Sequence, residues 1–540
     1  MAALSRIRLH TPSRVRFGHA EPDVRPFVRR GHSRDARDSG NSRAWSVVRA
    51  RRGDDRVRGA GAPRRRHRLV GQLTFDPYIP LTELVERIRR RELSPVELLE
   101  GCLARIERHN GALNAIVTLH ADRAMDAARA AEQRLMRGED LGPLGGVPFA
   151  VKDLEDVAGM RTTFGSPLFA DNVAAEDSLN VARLRAAGAY PIGKTNTPEF
   201  GAYMQTSNAV FGATRNPWNL DRTPGGSSGG AAAALVGGLV PLVTASDGGG
   251  SIRHPAAFTG CVGLKPTFRR VPQRPEPILT FDDTAVWGPL TLTVRDAARI
   301  ADVTFGPSEE DPTALPAPEG SYEATVDEPP PRLRVAWCAD LGHFVQPDVA
   351  RAVAACAVAV AELGHDVERF ESRIPFVGKA WSLTGAVTEY MKHRDALATP
   401  DQLDPMLREG FLRAQRSAAD DLAYSYQRRT ELVRWTAAAF ARFDILMMPT
   451  LPLEAFPIGQ LHPTEIAGRP IRIHDAFPFT HPFNLSGHPA LALPAGLTDS
   501  GLPASVQFVA RRFREDLLLR LGRQFEQARP WPLAPDAYRV

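Results

Sequence analysis

The first regular pattern of apolar positions lies between residues 81 and 113. Apolar residues between 81 and 88 recur at intervals of three and four, which predicts a helix with one buried face. A second helix is predicted to begin after Ser94, because serine is a favoured N-cap, Pro95 suits the first helical position and Glu97 closes a capping box. Its apolar face continues through Ile106 and ends at Asn110-Gly111.

Further along the chain, predicted helices alternate with short apolar strands. The helices are expected over residues 122–137, 180–187, 231–240, 349–363, 428–440 and 515–528, and the strands over 149–153, 189–192, 333–337 and 445–448. The polar, proline-rich segment 306–331 is expected to be a surface excursion or linker. Alternation without tandem repeats indicates an α/β fold with a mostly buried sheet, in one large domain or two.

Charge separates the first 70 residues from the rest. They contain 19 arginines, no lysine and 6 acidic residues, a net charge of +13, whereas the whole chain carries only +5. Such a segment cannot bury enough apolar surface to fold alone. A disordered tail, a nucleic-acid arm, an organelle-targeting peptide and a mis-assigned start are the alternatives. We favour an idle extension or a mis-assigned start for residues 1–70, with the folded domain over 71–540 and no nucleic-acid partner.

Apolar runs and cysteines restrict the class of protein further. The longest apolar stretch, 231–245, is shorter than the ~18–20 residues of a membrane span and contains Gly237, Gly238 and Pro241. No membrane span is therefore expected. The four cysteines are far apart and have no metal-site spacing, which predicts buried free thiols in a reducing cytoplasm.

Two serines in glycine-rich surroundings are the strongest chemical signal. Ser227 lies in the run 224–230 (PGGSSGG), and Ser251 lies in the run 247–253 (DGGGSIR). Consecutive glycine N–H groups before a serine can converge on one anionic oxygen, as in an oxyanion hole. A hydroxyl at the end of such a run is a candidate nucleophile, but it still needs a base.

Lysine usage points to a candidate base. The chain has only five lysines, and Lys152 is expected at or near the C-terminal end of the strand 149–153, where active groups gather in α/β sheets. Unlike arginine, a lysine can act as a neutral base once its pKa is depressed. A solvated lysine is the alternative.

Two familiar motifs also match but lack the structural context they require. Residues 188–195 satisfy the phosphate-loop pattern GxxxxGK[ST], but a helix precedes Gly188 and Pro198 interrupts any helix after Lys194. Residues 225–229 fit the nucleophile elbow GxSxG, but a polar loop instead of a strand leads into Ser227. Histidines 474, 481 and 488 keep this second interpretation open.

Several blocks in the same order resemble the amidase signature family of serine hydrolases, over roughly residues 77–533. They are GVPFAVKD at 146–153, GKTNTPEF at 193–200, NPW at 216–218, the two serine runs, GLKPT at 263–267, NLSGHPA at 484–490 and GLP at 501–503. The resemblance implies a single large amidase-signature domain, with a mixed central β-sheet covered by helices on both faces.

The resemblance also implies a role for each matching residue. Ser251 would be the acylated nucleophile, Ser227 the proton-relaying serine after a cis peptide bond, and Lys152 the terminal base. Backbone N–H groups at Gly248, Gly249 and Gly250 would bind the oxyanion, and Asp247 and Arg253 would support that loop as an ion pair. The implied reaction is hydrolysis of a small-molecule carboxylic amide to an acid and ammonia or an amine, with no metal or organic cofactor.

Departures from the family pattern leave alternatives. Gly248 stands where many members have Thr or Ile, and His254 stands where an apolar residue or Gln is frequent. Pro198 stands where the relatives that amidate glutamate on tRNA usually have Asp, which favours a stand-alone amidase over one component of an amidotransferase complex. A catalytically silent binding protein is the other alternative. The sequence is compatible with a homodimer and with primary, aryl or cyclic amides as substrates.

Overall fold

The capping signal at Ser94 begins a helix where the sequence predicts one. Ser94 Oγ accepts a hydrogen bond from the Val96 N–H at 2.9 Å, and the Glu97 carboxylate accepts one from the Ser94 N–H at 3.0 Å. In the computed structural model, which describes residues 76–274 and 284–539, this helix spans Pro95–Leu113. The predictions for residues 1–70 lie outside the described residues.

Helices and strands alternate along the described chain. The helices are α1 (Leu81–Arg89), α2 (Pro95–Leu113), α3 (Ala121–Met136), α4 (Leu179–Ala186), α5 (Gly229–Val236), α6 (Arg253–Thr259), α7 (Val294–Thr304), α8 (Tyr322–Thr325), α9 (Pro347–Glu362), α10 (Gly378–His393), α11 (Pro405–Gln415), α12 (Ala419–Arg442), α13 (His481–Leu485) and α14 (Glu515–Ala528). The strands are β1 (Ile116–Leu119), β2 (Pro148–Lys152), β3 (Tyr190–Thr195), β4 (Ser207–Asn208), β5 (Gly212–Ala213), β6 (Leu242–Val243), β7 (Ser246–Asp247), β8 (Val262–Lys265), β9 (Val286–Trp287), β10 (Leu290–Thr291), β11 (Arg334–Trp337), β12 (Asp366–Arg369), β13 (Ile445–Pro449), β14 (Glu465–Ile466), β15 (Arg469–Pro470), β16 (Ala490–Leu497) and β17 (Pro503–Ala510).

One mixed sheet of 11 strands organises the described residues. Its order is β1-β3-β2-β6-β10-β8-β16-β17-β13-β11-β12. Strand β2 is parallel to β3 and β6, and β11 is parallel to β12 and β13. The long pair β16–β17 is antiparallel and joins the two halves of the sheet. The α/β class and the mixed sheet are therefore confirmed.

Helices pack on both faces of this sheet. Alternate residues of a strand point to opposite faces. In β13, Ile445 and Met447 belong to a buried cluster with residues of α7, α9 and α14, whereas Leu446 and Met448 belong to a cluster with residues of α12 and α13. Both faces of the sheet are apolar for this reason.

Several elements differ from the sequence prediction; α5 ends at Val236 instead of residue 240, and α2 continues past Gly111 to Leu113. Strand β3 continues to Thr195, so Gly193, Lys194 and Thr195 lie in a strand, and residues 188–195 do not form a phosphate loop. Helix α12 begins at Ala419, nine positions before the predicted start, because its first turns are polar and show no apolar period. The proline-rich segment 306–331 contains α8, which buries Tyr322.

The state of the cysteines matches the prediction of buried free thiols. The four cysteines are buried and none is paired in a disulfide. None of the helices in the described part of the chain is long and apolar enough to cross a membrane.

Candidate active site

Lys152 is the last residue of β2 and is fully buried. Every residue of β2 is buried, because β3 and β6 flank it in the sheet. The Lys152 main-chain N–H donates to Thr244 Oγ1 at 2.9 Å, which fixes the end of the strand. The amine of this side chain is therefore held away from water at the C-terminal end of a parallel strand.

Three serine hydroxyls surround the Lys152 amine. Its Nζ lies 2.7 Å from Ser227 Oγ, 2.8 Å from Ser228 Oγ and 3.0 Å from Ser246 Oγ. Burial lowers the pKa of Lys152 to about 7, although the carboxylates of Asp247 and Glu155 act in the opposite direction. The structure thus holds a lysine near the protonation midpoint at neutral pH, in direct contact with Ser227.

The directions of the hydrogen bonds around this amine show which serine hydroxyl can give it a proton. Ser228 Oγ–H donates to the Ser246 carbonyl at 3.2 Å, so its oxygen accepts from Lys152. A neutral amine has two N–H donors and one lone pair. When Ser228 and Ser246 accept the two N–H bonds, the lone pair faces the Ser227 hydroxyl.

Ser227 lies in a loop and follows a cis peptide bond from Gly226. This is the geometry that the family resemblance implies at this position. A side chain at Gly226 would approach the main-chain oxygens of Gln205 and Tyr203 within 2.6 Å, so only glycine fits there. Helix α5 begins two residues after Ser227.

The nucleophile-elbow interpretation fails on this geometry. No strand of the described chain runs into Ser227. The three candidate histidines are bonded elsewhere: His474 to Ser382 Oγ at 2.6 Å, His481 to the Phe477 carbonyl at 3.0 Å and His488 to Ser486 Oγ at 2.9 Å.

Ser251 lies in the turn between β7 and α6, next to the Ser227 loop. Its main-chain carbonyl accepts a hydrogen bond from the Ser228 N–H at 3.2 Å, which ties the two serine loops together. The Ser251 side chain is half-buried, and its hydroxyl has no hydrogen-bond partner within residues 76–274 and 284–539. The preceding residues Gly248, Gly249 and Gly250 form the turn that leads into it.

Asp247 and Arg253 flank this turn as a buried salt bridge. The guanidinium of Arg253 donates to both carboxylate oxygens of Asp247, at 2.9 and 3.0 Å. Asn484 and Gln507 complete the network by accepting from Arg253 at 2.7 and 3.1 Å. Burial alone would raise the pKa of Asp247, but Arg253 and Asn484 outweigh it and hold this pKa well below its usual range.

The other two buried lysines do not contact the serines. Lys194 Nζ donates to Thr162 Oγ1 at 2.7 Å and lies 3.9 Å from the Asp153 carboxylate. Lys265 Nζ donates to the Pro266 carbonyl at 2.8 Å. Of the three, only Lys152 meets a serine hydroxyl within the described chain.

Sequence reasoning missed some residues of this site. Ser246 contacts Lys152, and its only sequence signal is its position directly before Asp247. Trp381 and Thr480 contact the glycine turn from more than 100 residues away, and no local motif marks them. In the part of the chain that the structure describes, no group of three or more His, Cys, Asp or Glu residues is arranged to hold a metal ion.

Comparisons with known proteins identify the family of this chain. The family described as Amidase matches residues 97–519. An acylamidase from Rhodococcus erythropolis is 37% identical over 466 residues, which are 84% of this chain and 96% of the relative. A 6-aminohexanoate-cyclic-dimer hydrolase from Paenarthrobacter ureafaciens is 34% identical over 489 residues, 84% of this chain and 96% of the relative.

A solved structure shows the same fold. The structure of a bacterial aryl acylamidase of the amidase signature family matches with a TM-score of 0.81 at 30% sequence identity. The match covers 86% of this chain and 98% of the acylamidase chain. The chain therefore belongs to the amidase signature family and is an amidase, a hydrolase that acts on carbon–nitrogen bonds.

Proposed function

We propose that this protein is a stand-alone amidase that forms an acyl-enzyme on Ser251, with Ser227 and Lys152 as its proton relay. The observation that carries the proposal is the contact between the buried Lys152 amine and Ser227 Oγ at 2.7 Å, with a lysine pKa of about 7. A base with such a pKa is half neutral at pH 7, which is the condition for efficient general-base catalysis.

The proposed reaction has two half-cycles. Ser251 Oγ attacks the amide carbon while its proton passes to Ser227 Oγ, and the Ser227 proton passes to neutral Lys152. The carbon–nitrogen bond then breaks, and the same relay returns a proton to the leaving nitrogen, which departs as ammonia or an amine. Water attacks the ester on Ser251 by the same route and releases the acid and the free serine.

The N–H groups of the glycine turn would stabilise the charge that develops on the carbonyl oxygen. Those of Gly249, Gly250 and Ser251 donate no hydrogen bond to any described residue. Preorganised donors of this kind contribute strongly, since loss of one typically lowers kcat by ~10²–10³. Gly248, Gly249 and Gly250 then form the oxyanion turn, whose donors are the N–H groups of Gly249, Gly250 and Ser251, with Asp247 and Arg253 supporting the turn.

Two features favour a stand-alone enzyme that acts on small amides. Pro198 stands where the amidotransferase pattern has Asp, and the acylamidase from Rhodococcus erythropolis covers the chain at 37% identity. The proposed localisation is the cytoplasm, because four unpaired cysteines suit a reducing compartment. Stable copurification with partner chains, together with glutamine-dependent amidation of glutamyl-tRNA, would instead identify one component of an amidotransferase complex.

A fluorophosphonate probe tests the assignment without knowledge of the substrate. We expect one adduct, mapped by peptide mass spectrometry to Ser251 and lost in Lys152→Ala. An adduct on Ser227 or Ser228 would contradict the assignment. An unlabelled protein would point to a silent or partner-dependent one.

A variant series then separates the roles of the hydroxyls. On any turned-over amide or ester, Ser251→Ala and Lys152→Ala should lower kcat/KM by at least about 10³-fold, and Ser227→Ala by about 10²–10³-fold. Ser228→Ala is the matched control, because its hydroxyl touches the same amine at 2.8 Å but receives no proton in the proposed relay. Its expected loss is below about tenfold, and near-normal turnover by Ser251→Ala would overturn the proposal.

A further inference from the structure

The glycine turn before Ser251 has no side chains of its own to hold it. Three consecutive glycines sample a wide range of backbone conformations, so an oxyanion hole built from them needs external support. All three carbonyls of the turn receive it. Gly248 O accepts from Trp381 Nε1 at 2.7 Å, Gly249 O from Thr480 Oγ1 at 2.7 Å and Gly250 O from the His254 main-chain N–H at 2.6 Å.

Fixing these carbonyls fixes the N–H groups that would bind the oxyanion. A trans peptide unit is planar, with its C=O and the following N–H on opposite sides. Each held carbonyl of Gly248, Gly249 and Gly250 therefore sets the opposite direction for the N–H group of the next residue. These are the N–H groups of Gly249, Gly250 and Ser251, which have no acceptor among the described residues.

Because the Thr480 hydroxyl has a single proton, it can donate only one of its hydrogen bonds. Its oxygen lies 2.7 Å from Gly249 O, closer than the 3.2 Å to the Phe477 carbonyl. If that proton goes to Gly249 O, the Thr480 oxygen must accept from His254 Nε2 at 2.8 Å. Burial lowers the pKa of His254 to about 3, so the imidazole is neutral, and in this arrangement its proton is on Nε2.

The two aromatic side chains also occupy the space beside the turn. A Cβ on Gly249 would lie 2.3 Å from Trp381 Cζ2, and a Cβ on Gly250 would lie 1.9 Å from His254 Nε2. Gly250 in addition has a φ of 141°, which other residues rarely adopt. The rings therefore exclude side chains from the turn and pack directly against its backbone.

We propose that Trp381, Thr480 and His254 form a clamp on the carbonyls of Gly248, Gly249 and Gly250, which preorganises the oxyanion hole of this amidase. They are positioning residues that act through the turn. This inference rests on the proposed function, because it assigns the free N–H groups of the turn to the oxyanion. It explains how the chain accommodates Gly248 in place of a larger residue.

Each variant of the test removes one side-chain donor of the clamp; Thr480→Val also removes the acceptor of His254 Nε2, and Trp381→Phe also removes part of the ring beside Gly249. Thr480→Val deletes the hydroxyl bonded to Gly249 O, Thr480→Ser restores it, and Trp381→Phe deletes the indole N–H bonded to Gly248 O. Matched controls delete comparable groups far along the chain. Trp435→Phe removes an indole N–H that donates to Ser372 Oγ at 3.0 Å, and Thr304→Val removes a hydroxyl that donates to the Ile300 carbonyl at 2.7 Å.

The first readout is the rate constant for phosphonylation of Ser251 by the fluorophosphonate, whose phosphoryl oxygen occupies the same hole. We expect this rate constant to fall about tenfold in Thr480→Val and Trp381→Phe. This effect is smaller than the effect of removing an oxyanion donor itself. Thr480→Ser and both controls should stay within about twofold of the wild type. The pH midpoint of labelling should not move, because the clamp does not touch Lys152.

The second readout is amide hydrogen exchange in peptides covering residues 247–254, which requires no reactivity. Faster exchange at His254, whose N–H is bonded to Gly250 O, is expected in Thr480→Val and Trp381→Phe but not in the controls. Wild-type labelling rates and unchanged exchange in both variants would overturn the clamp. An unlabelled wild type would contradict the proposed function, and the exchange data would then decide on the clamp alone.

Discussion

Lys152 combines complete burial with a side chain that is charged in water at neutral pH. Burial moves its pKa to about 7, against the pull of Asp247 and Glu155. The low pKa and the contact with Ser227 arise from the same feature, the last position of a strand buried on both faces. Other lysines are also buried, so it is the serine contact that distinguishes this one.

We predict that kcat/KM follows the titration of Lys152. Only the neutral amine accepts a proton, so activity should fall about tenfold for each pH unit below about 7 and level off above it. The measurement is kcat/KM between pH 5 and 9. Lys152→Arg is the control, since a guanidinium cannot be deprotonated and should be inactive throughout. A flat profile between pH 5 and 8 would contradict Lys152 as the base.

Lys152→Met should be inactive but more stable than the wild type at pH 6. A pKa lowered from 10.5 to about 7 corresponds to roughly 5 kcal/mol against the folded, charged lysine. Loss of three hydrogen bonds at about 1 kcal/mol each offsets part of this. The expected gain in the free energy of unfolding is therefore about 2 kcal/mol.

The pH dependence of this gain has a definite sign. The folded pKa is below the unfolded one, so the penalty is complete below pH 7 and disappears as the pH rises towards 10.5. Urea unfolding of the wild type and Lys152→Met at pH 6 and pH 9 measures it. A variant less stable than the wild type at pH 6 would show that the hydrogen bonds outweigh desolvation.

At the scale of elements, α5 fixes the position of the Ser227 loop. Every residue of this helix is buried, and all but Leu235 and Val236 are glycine or alanine. The Gly230 N–H donates to the Asn196 carbonyl at 3.2 Å, directly beyond the end of β3. Small residues allow the helix backbone to lie against that strand end.

Two glycine-to-alanine variants in helices should have opposite effects on stability. A Cβ on Gly230 would lie 2.4 Å from the Asn196 main-chain nitrogen, so Gly230→Ala should lower the free energy of unfolding by about 1–3 kcal/mol. Gly111, in α2, has no atom within 4 Å of the added methyl, so Gly111→Ala should raise it by about 0.5–1 kcal/mol. Thermal unfolding measures both, and destabilisation of equal size would show that helix glycines matter here for another reason.

The sequence predicts those helices and strands that are marked by a cap or by a regular apolar period. The cap at Ser94 and the apolar period of α14 placed both helices, the second over the observed residues 515–528. Strands β16 and β17 were not predicted, because β17 and residues 490–495 of β16 are buried on both faces and β16 contains Pro494 and Gly496, so no alternation marks them. At the site, Ser227, Ser251 and Lys152 stand in motifs, whereas Trp381 and Thr480 reach the turn through contacts 133 and 231 positions apart.

At the scale of the whole molecule, the named site residues lie between 152 and 507. The match to the family begins at residue 97. Removal of residues 1–70 should therefore leave kcat, KM and the midpoint of thermal unfolding unchanged. Assays of the full chain and of residues 71–540, with duplex DNA binding at physiological salt, test this. Loss of activity, or DNA binding by the full chain alone, would assign these residues a role.

The ion pair beside Ser251 also has a consequence during synthesis. Arg253 and its acceptor Gln507 are 254 positions apart. At ~5–20 residues per second, the ribosome needs about 13–50 seconds to make the chain between them. Until then, the Arg253 guanidinium lacks this acceptor, and for most of that time the turn also lacks the Thr480 donor to Gly249 O. We expect a nascent chain to carry an inert Ser251, so that hydrolytic activity begins only after Gln507 has been synthesised.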